Sequence, residues 1–450
     1  MSELLADFLA RALRYIDSLD SRRVAPSIEA VERLALFDEP LPEHPADPRT
    51  VLKILDEIGS PATVASSGGR YFGFVTGGVL PAALAANLMA GVWDQNGAYR
   101  VMSPVAAKVE DVCLKWLRES LGLPAGAGAG FVTGATMANF AGLAAARRAV
   151  LLKSGWNVDE DGLIGAPPIR VIVGDEVHAS LLKALSLLGL GRSRVERVAV
   201  DGQGRMRSDA LPGLSPGTIV CIQAGNVNTG AFDPAGEICA ASHDAGAWVH
   251  VDGAFGLWAL ASPRFNHLTV GFAEADSWAT DAHKWLNAPY DSGIVFVREQ
   301  EHLSAAMTVG AAYLIAGEQR EPSQFTPEMS RRARGVEIWA ALRSLGRMGL
   351  ADLIDRNCSY AALFADGLRV AGYEVLNEVT LNQTLVSFGD DETTRRVIAA
   401  VQSDGTCWVG GTVWQGRAAM RISVSSWATT EDDVEHSLDA IIRSATKVCN

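Results

Sequence analysis

The stretch that decides the fold is DSWATDAHKWLNAPYDSGIVFVR, residues 276–298, where a lysine sits between a histidine and a tryptophan just before an apolar run that reads as a strand. A charged amine at the centre of so hydrophobic a segment is costly unless it is deprotonated, paired or covalently used. Lys284 therefore poses a question of chemistry. Working outward, the region from about 130 to 300 alternates short β-rich runs (GFVT, RVIVGD, RVERVAV, TIVCIQAG, AWVHVD, GIVFVR) with helical segments such as MANFAGLAAARRAVLL. Apolar runs without polar alternation, separated by helices, predict a mostly parallel sheet covered on both faces. Ligands of such sheets sit at the carboxyl ends of the strands.

Several of those ends carry polar groups. In VTGATMANFAGLAAARR (132–148) a strand passes through a glycine turn at Gly134 into a helix with Thr136 at or near its cap, and free N–H groups at a helix start bind phosphate. VGDEVHASLLKALSLLG (173–189) places His178 after a second strand, and HVDGAFG (250–256) places Asp252 directly after a third. Singly, each fits a capped helix, a core histidine or a loop carboxylate. Together they give a phosphate-type turn, a histidine, an aspartate and a lysine, in that order, on one α/β domain.

The remaining chain bounds the answer. With 450 residues and 48% apolar composition the protein is globular, and two or three structural units are expected. We divide it into a helical arm at 1–65, a large domain at 66–340 and a smaller α/β domain at 341–450. Helices are predicted at 2–19, 27–37 and about 333–348, and DEPLPEHPADP (38–48) reads as an irregular crossing segment. The net charge of −13 disfavours nucleic acid or an anionic membrane as the main partner. Six scattered cysteines without a C-x-x-C pair argue against zinc and structural disulfides and for a reducing compartment. The N-terminal pattern is amphipathic and broken by charges, unlike a signal peptide, and the apolar run at 79–93 is too short to span a bilayer, so the expected location is cytoplasmic.

H-V-D-x-A at 250–254 and D-A-H-K-W-L at 281–286, with F-D-P at 232–234 and S-P at 103–104, make the chain resemble the pyridoxal-phosphate-dependent group II amino-acid decarboxylases of the aspartate-aminotransferase fold, fold type I. The resemblance covers roughly 65–440. It implies a seven-stranded, mostly parallel sheet, bound pyridoxal 5'-phosphate, no metal, decarboxylation of an L-amino acid to its amine, and a homodimer whose arm and lid loop cross to the partner. Residue by residue, Lys284 matches the Schiff-base lysine, which answers the question it posed. Asp252 matches the carboxylate beside the pyridine nitrogen and His178 the imidazole stacked on the ring. Ala254 matches the small residue under the opposite face. Gly134, Ala135 and Thr136 match the phosphate turn, with His283 beside it. Tyr313, 29 residues after Lys284 in a stretch rich in small and polar residues, matches a mobile-loop tyrosine that returns a proton. Arg421 in AAMRISVS matches an arginine that pairs with a carboxylate. Phe72, Phe74 and Thr76 match a stretch that lines the site in relatives.

Some positions depart from the pattern. Asn226, Val227 and Asn228 replace a threonine-rich run, and Asp281 stands by the phosphate turn where an asparagine is easier to explain electrostatically. In WDQNGAYRVM (93–102), Gln95, Asn96 and Arg100 would make the substrate wall polar if they face it, so aromatic and acidic substrates both stay open. A carbon–carbon lyase acting on a phosphorylated amino alcohol, an aminotransferase and a non-catalytic cofactor-binding protein also stay open. A nucleotide-binding dehydrogenase is weaker, because the glycine turn lacks a full G-x-G-x-x-G.

Overall fold

The computed structural model describes residues 1–308 and 319–449. These pack as two compact units, one of Val79–Ala361 with Asn377–Gln383, the other of Met1–Gly78, Ala362–Leu376 and Thr384–Asn450.

The first unit is built on seven strands: β1 (Gly128–Val132), β2 (Arg170–Gly174), β3 (Glu196–Val198), β4 (Thr218–Gln223), β5 (Trp248–Asp252), β6 (Ser277–Asp281) and β7 (Gly293–Val297). Their order across the sheet is β1-β7-β6-β5-β4-β2-β3. Strands β2 to β6 pair in parallel, and β7 runs antiparallel to both β6 and β1, so β1 points the same way as the central strands. Every residue of β1, β4, β5, β6 and β7 is buried, which explains why their sequences read as apolar runs rather than alternations. The alanine-rich helix Ala135–Lys153 buries much of its length, and its Ala138, Ala141 and Ala145 share a core with Val132, Val295 and Val297. Small side chains there let helix and sheet approach closely.

Because these strands are co-directional, their carboxyl ends share one edge. β1 delivers Gly134, β2 delivers His178, β4 delivers residues 225–227, β5 delivers Asp252 and Ala254, and β6 delivers His283 and Lys284. Tryptophan indoles pin the loops after these strands. Trp285, fully buried next to Lys284, donates to Asn357 Oδ1 at 2.9 Å, and Trp258 donates to the carbonyl of Asp281 at 3.0 Å. The helix that opens at Gly335 breaks at Gly346, where φ is 61°, a value glycine adopts without strain.

The other unit holds a five-stranded sheet in the order Tyr71–Phe72, Trp408–Trp414, Arg417–Ser423, Gln383–Ser387, Glu374–Val375. The helix Asp391–Asp404 packs on it and against Glu431–Cys449. A pairing not read from the sequence joins the two ends of the chain: Tyr71–Phe72 lies parallel to Trp408–Val409, with the Tyr71 and Trp408 rings stacked at 5.1 Å. The N-terminal helix spans Ser2–Asp17, and the second predicted helix is α over Ile28–Glu32 and 3-10 over Arg33–Phe37. No helix among the described residues is long and apolar enough to cross a membrane.

Candidate active site

At the shared strand edge, His178, Gln223, Gly225, Val227, Asp252, Ala254, Phe255 and Lys284 line one cleft. Four residues singled out from sequence thus come together from the ends of three different strands. Lys284 is mostly buried and its Nζ lies 3.1 Å from Asp281 Oδ2. The amine at the centre of the apolar stretch is therefore paired, and the partner is the aspartate that looked out of place.

Asp281 does more than pair. Its Oδ1 accepts the N–H of Ala135, the first residue of the helix Ala135–Lys153, and lies 3.6 Å from His283 Nε2. The helix cap is Gly134, with Thr136 inside the first turn rather than at the cap. At Gly134 a Cβ would come within 3.1 Å of the His283 ring and 3.4 Å of Asp281, so a side chain there would crowd both. His283 Nδ1 accepts the N–H of Ser292 at 3.0 Å, which leaves the proton of the neutral ring on Nε2, toward Asp281. Burial lowers the His283 pKa, and the Asp281 carboxylate pulls it back up. Tyr290 packs on the His283 ring at 4.5 Å.

His178 satisfies two readings at once. Its Nδ1 caps the helix Ala179–Leu187 through the N–H of Ser180 at 3.2 Å and meets Ser180 Oγ at 2.7 Å, while the residue also lines the cleft. Asp252 is 5% exposed at the end of β5, and its Oδ2 accepts from Asn139 Nδ2 at 3.2 Å. Asn139 in turn meets His250, which is wholly buried, with its pKa pushed down to about 3 by desolvation. Sequence reasoning gave no role to Asn139, nor to His250 beyond its place as the first residue of H-V-D-x-A. What marks both is polarity inside an apolar helix and an apolar strand.

A depressed histidine pKa couples folding to pH. The unfolded chain takes up a proton below about pH 6.5 that the folded His250 refuses, so this residue's contribution falls as the pH drops toward 3. Asp233, buried after the strand bearing Gln223, works oppositely: burial raises its pKa to about 6, so its folded form gains as pH falls through that value toward 4. We therefore expect the stability difference between wild type and His250→Gln to shrink by about 1.4 kcal/mol per pH unit from pH 6 to 4. Denaturant midpoints of the two proteins across that range check it, and a constant difference refutes it.

Other predicted positions have other surroundings. Asn96 does not line the cleft; its Oδ1 accepts the N–H groups of Ala98 and Arg331 at 3.0 and 3.2 Å. Gln95 Nε2 donates to the Trp93 carbonyl at 2.9 Å, and Arg100 is paired with Asp111 and donates to the Arg320 carbonyl at 2.9 Å. In the other unit, Phe74 has φ 54° and stacks on Trp408 at 5.4 Å, and Thr76 Oγ1 donates to the Gly73 carbonyl at 3.2 Å. Phe72 is fully buried there, edge-on to Phe364 at 5.0 Å. Arg421 lies on Arg417–Ser423, 9% exposed, and burial lowers its pKa. Tyr313 lies outside the described residues.

The residues of the cleft fit pyridoxal phosphate. A helix N-terminus lies beside the amine and suits a phosphate. Ala254 gives the cleft a wall with a small side chain, as a face packed on a flat ring requires. Asn226, between cleft residues Gly225 and Val227, uses its Oδ1 for the N–H groups of Asn228 and Thr229, while its buried Nδ2 has no partner among the described residues. A bound oxygen would satisfy such an orphaned donor.

Comparison with known proteins agrees with this chemistry. The family model described as the pyridoxal-dependent decarboxylase conserved domain matches residues 31–389. Tryptophan decarboxylase 1 of Oryza sativa subsp. japonica is 27% identical over 97% of this chain and 92% of its own length. An aromatic-L-amino-acid decarboxylase of Bacillus atrophaeus is 26% identical over 77% and 73%. Among solved structures, Oryza sativa TDC with PLP and tryptamine superposes with a TM-score of 0.90 at 23% identity, covering 100% of this chain and 98% of that one. Mouse CSAD in apo form gives 0.89 at 21% identity, covering 99% and 98%. A family model spanning most of the chain, on a cleft whose turn, carboxylate and lysine suit the same cofactor, leaves one assignment: the chain belongs to the pyridoxal-dependent decarboxylase family and is a pyridoxal-phosphate-dependent amino-acid decarboxylase.

Proposed function

We propose that the substrate is an aromatic L-amino acid. The observation that carries this reading is the fate of the polar stretch at 93–102: Gln95 and Asn96 serve nearby backbone and Arg100 serves an ion pair, so the sequence argument for an acidic or polar side chain loses its groups. The names of the similar curated decarboxylases, for tryptophan and for aromatic amino acids, support it. Incubation with a mixture of the common amino acids, with the amines identified by mass spectrometry, tests it. An arylalkylamine is expected, and an amine from an acidic amino acid overturns the reading.

In the roles we assign, Lys284 would be the covalent anchor, Asp252 would keep the ring nitrogen protonated, His178 and Ala254 would flank the ring, and Gly134, Ala135, Thr136 and His283 would hold the phosphate. The bound cofactor supplies an electron sink for the charge left when carbon dioxide departs. The protein's share is to orient the substrate carboxylate, exclude water and return a proton. Phe74 and Thr76 are assigned to the substrate side and Arg421 to the substrate carboxylate, by resemblance. Arg421→Ala is expected to raise KM by about 1.5–3 kcal/mol in equivalent free energy, the weight of a hydrogen bond to a charged group. An unchanged KM with chemistry rate-limiting favours a structural arginine. For Tyr313 the proposed role is the returning acid. Tyr313→Phe should release carbon dioxide in excess of amine, the balance appearing under air as aldehyde and ammonia with dioxygen as the oxidant, and amine at the wild-type rate removes the role.

We also propose a cytoplasmic homodimer in which the N-terminal arm meets the partner subunit. The helix Ser2–Asp17 buries no residue of its own, and Leu5, Leu9, Leu13 and Ile16 form one stripe, each 42–52% exposed. A monomer by light scattering at micromolar concentration refutes it.

A further inference from the structure

Behind Asp252 runs a buried line of four side chains whose hydrogen positions follow from its ends. Trp248 Nε1 lies 2.9 Å from Ser277 Oγ, which lies 2.7 Å from His250 Nδ1. His250 Nε2 lies 2.8 Å from Asn139 Oδ1, and Asn139 Nδ2 lies 3.2 Å from Asp252 Oδ2. Ser277, His250 and Asn139 are wholly buried and Trp248 is 5% exposed, so water does not complete the set. The indole can only donate, and the carboxylate can only accept. Ser277 Oγ takes the indole proton, and the acceptor for its own hydroxyl proton among the described residues is His250 Nδ1. The neutral ring must then carry its hydrogen on Nε2 and donate to Asn139 Oδ1. That in turn fixes the Asn139 amide with its NH2 toward Asp252.

We propose that Trp248, Ser277, His250 and Asn139 form a one-way donor chain that positions Asp252, engaging Oδ2 and leaving Oδ1 for the cofactor's ring nitrogen. His250 is the positioning residue that sets the direction. Without its N–H the amide of Asn139 is free to turn and present its oxygen to the carboxylate, replacing an attraction by a repulsion. Histidine fits because of Gly142, where a Cβ would come within 2.8 Å of His250 Cε1. Low proton affinity keeps the ring a one-proton group across the working pH range.

The proposal rests on the assignment of Asp252 to the ring nitrogen, and the experiment separates the two. In holoenzyme labelled with 15N-histidine, the His250 signal, identified by its loss in His250→Gln, should show the Nε2–H tautomer and stay unchanged from pH 5 to 8. The Nδ1–H tautomer, or a titration in that range, overturns the chain whatever Asp252 does. Cofactor affinity is the second readout. His250→Phe should bind pyridoxal phosphate about tenfold or more weakly, as for loss of one hydrogen bond to a charged group. His250→Gln, whose amide still donates toward Asn139, should bind within about threefold of wild type, well under one such bond. Equal weakening in both variants, or none in His250→Phe, overturns the positioning role. If His250→Phe does not fold, Ser277→Ala tests the same direction: the serine proton is gone and the Nε2–H preference should relax, and an unchanged tautomer counts against the proposal. Should Asp252→Ala leave cofactor affinity and spectrum unaltered while the tautomer is as expected, the chain stands and the assignment of Asp252 fails.

Discussion

Lys284→Ala is expected to abolish measurable amine formation, because on the role proposed for it the variant loses the cofactor's covalent anchor. It should also make the cofactor dissociable. Borohydride treatment of the wild type should fix the cofactor to the peptide containing Lys284, and the variant should take no label. A second consequence comes from the pair with Asp281, whose carboxylate is almost fully buried. Removing the amine leaves that charge uncompensated, which costs about 3–5 kcal/mol in a buried pair. Compared as cofactor-free proteins, Lys284→Ala should therefore be less stable than wild type, and adding Asp281→Asn should restore much of the loss. Activity and stability thus separate: the double variant regains its unfolding midpoint and remains inactive. A label on any other lysine, or amine formation at the wild-type rate by Lys284→Ala, removes Lys284 from the site.

That behaviour depends on a contact the linear sequence discouraged. Asp281 reads as an anion beside an anion-binding turn, and nothing along the chain shows that its two oxygens divide between the Ala135 N–H and the Lys284 amine. The sheet was legible because strands buried on both faces are apolar throughout, so RVIVG, TIVCIQ and GIVFV announce themselves. The strand-end residues were legible for a related reason, since a polar group directly after such a run must sit at the sheet's edge. Lateral relations between elements were not. Asn139 and His250 lie 111 residues apart and meet only because the helix after β1 crosses β5 and β6. The stretch at 93–102 shows the same limit: Arg100 pairs with Asp111 and donates to the Arg320 carbonyl, and Asn96 accepts from Arg331, partners that only the fold brings near. Tyr71 joins the strand at Trp408 through a pairing two residues long, too short to leave a pattern.

Asp252→Ala should retain cofactor and lose most turnover. The turn at Gly134–Thr136, proposed to hold the phosphate, and the amine of Lys284 do not depend on this carboxylate, so binding should be weakened rather than lost. On the role proposed for Asp252, what disappears is the negative charge that would keep the ring nitrogen protonated, and with it the stabilisation of charge as carbon dioxide departs. Loss of one preorganised electrostatic group of this kind costs about 10²–10³-fold in kcat. The measurements are cofactor content by release and absorbance, and kcat with substrate saturating, so that weaker binding does not masquerade as slower chemistry. Asp252→Asn separates charge from shape. The amide keeps the size of the carboxylate and an oxygen for Asn139 Nδ2 but carries no charge, so it should be nearly as slow as the alanine variant if charge is what matters. Turnover near wild type in Asp252→Asn would mean that a hydrogen-bonded side chain of that shape is sufficient. Turnover near wild type in Asp252→Ala would take the residue out of the chemistry altogether, because no other carboxylate lines the cleft among the described residues.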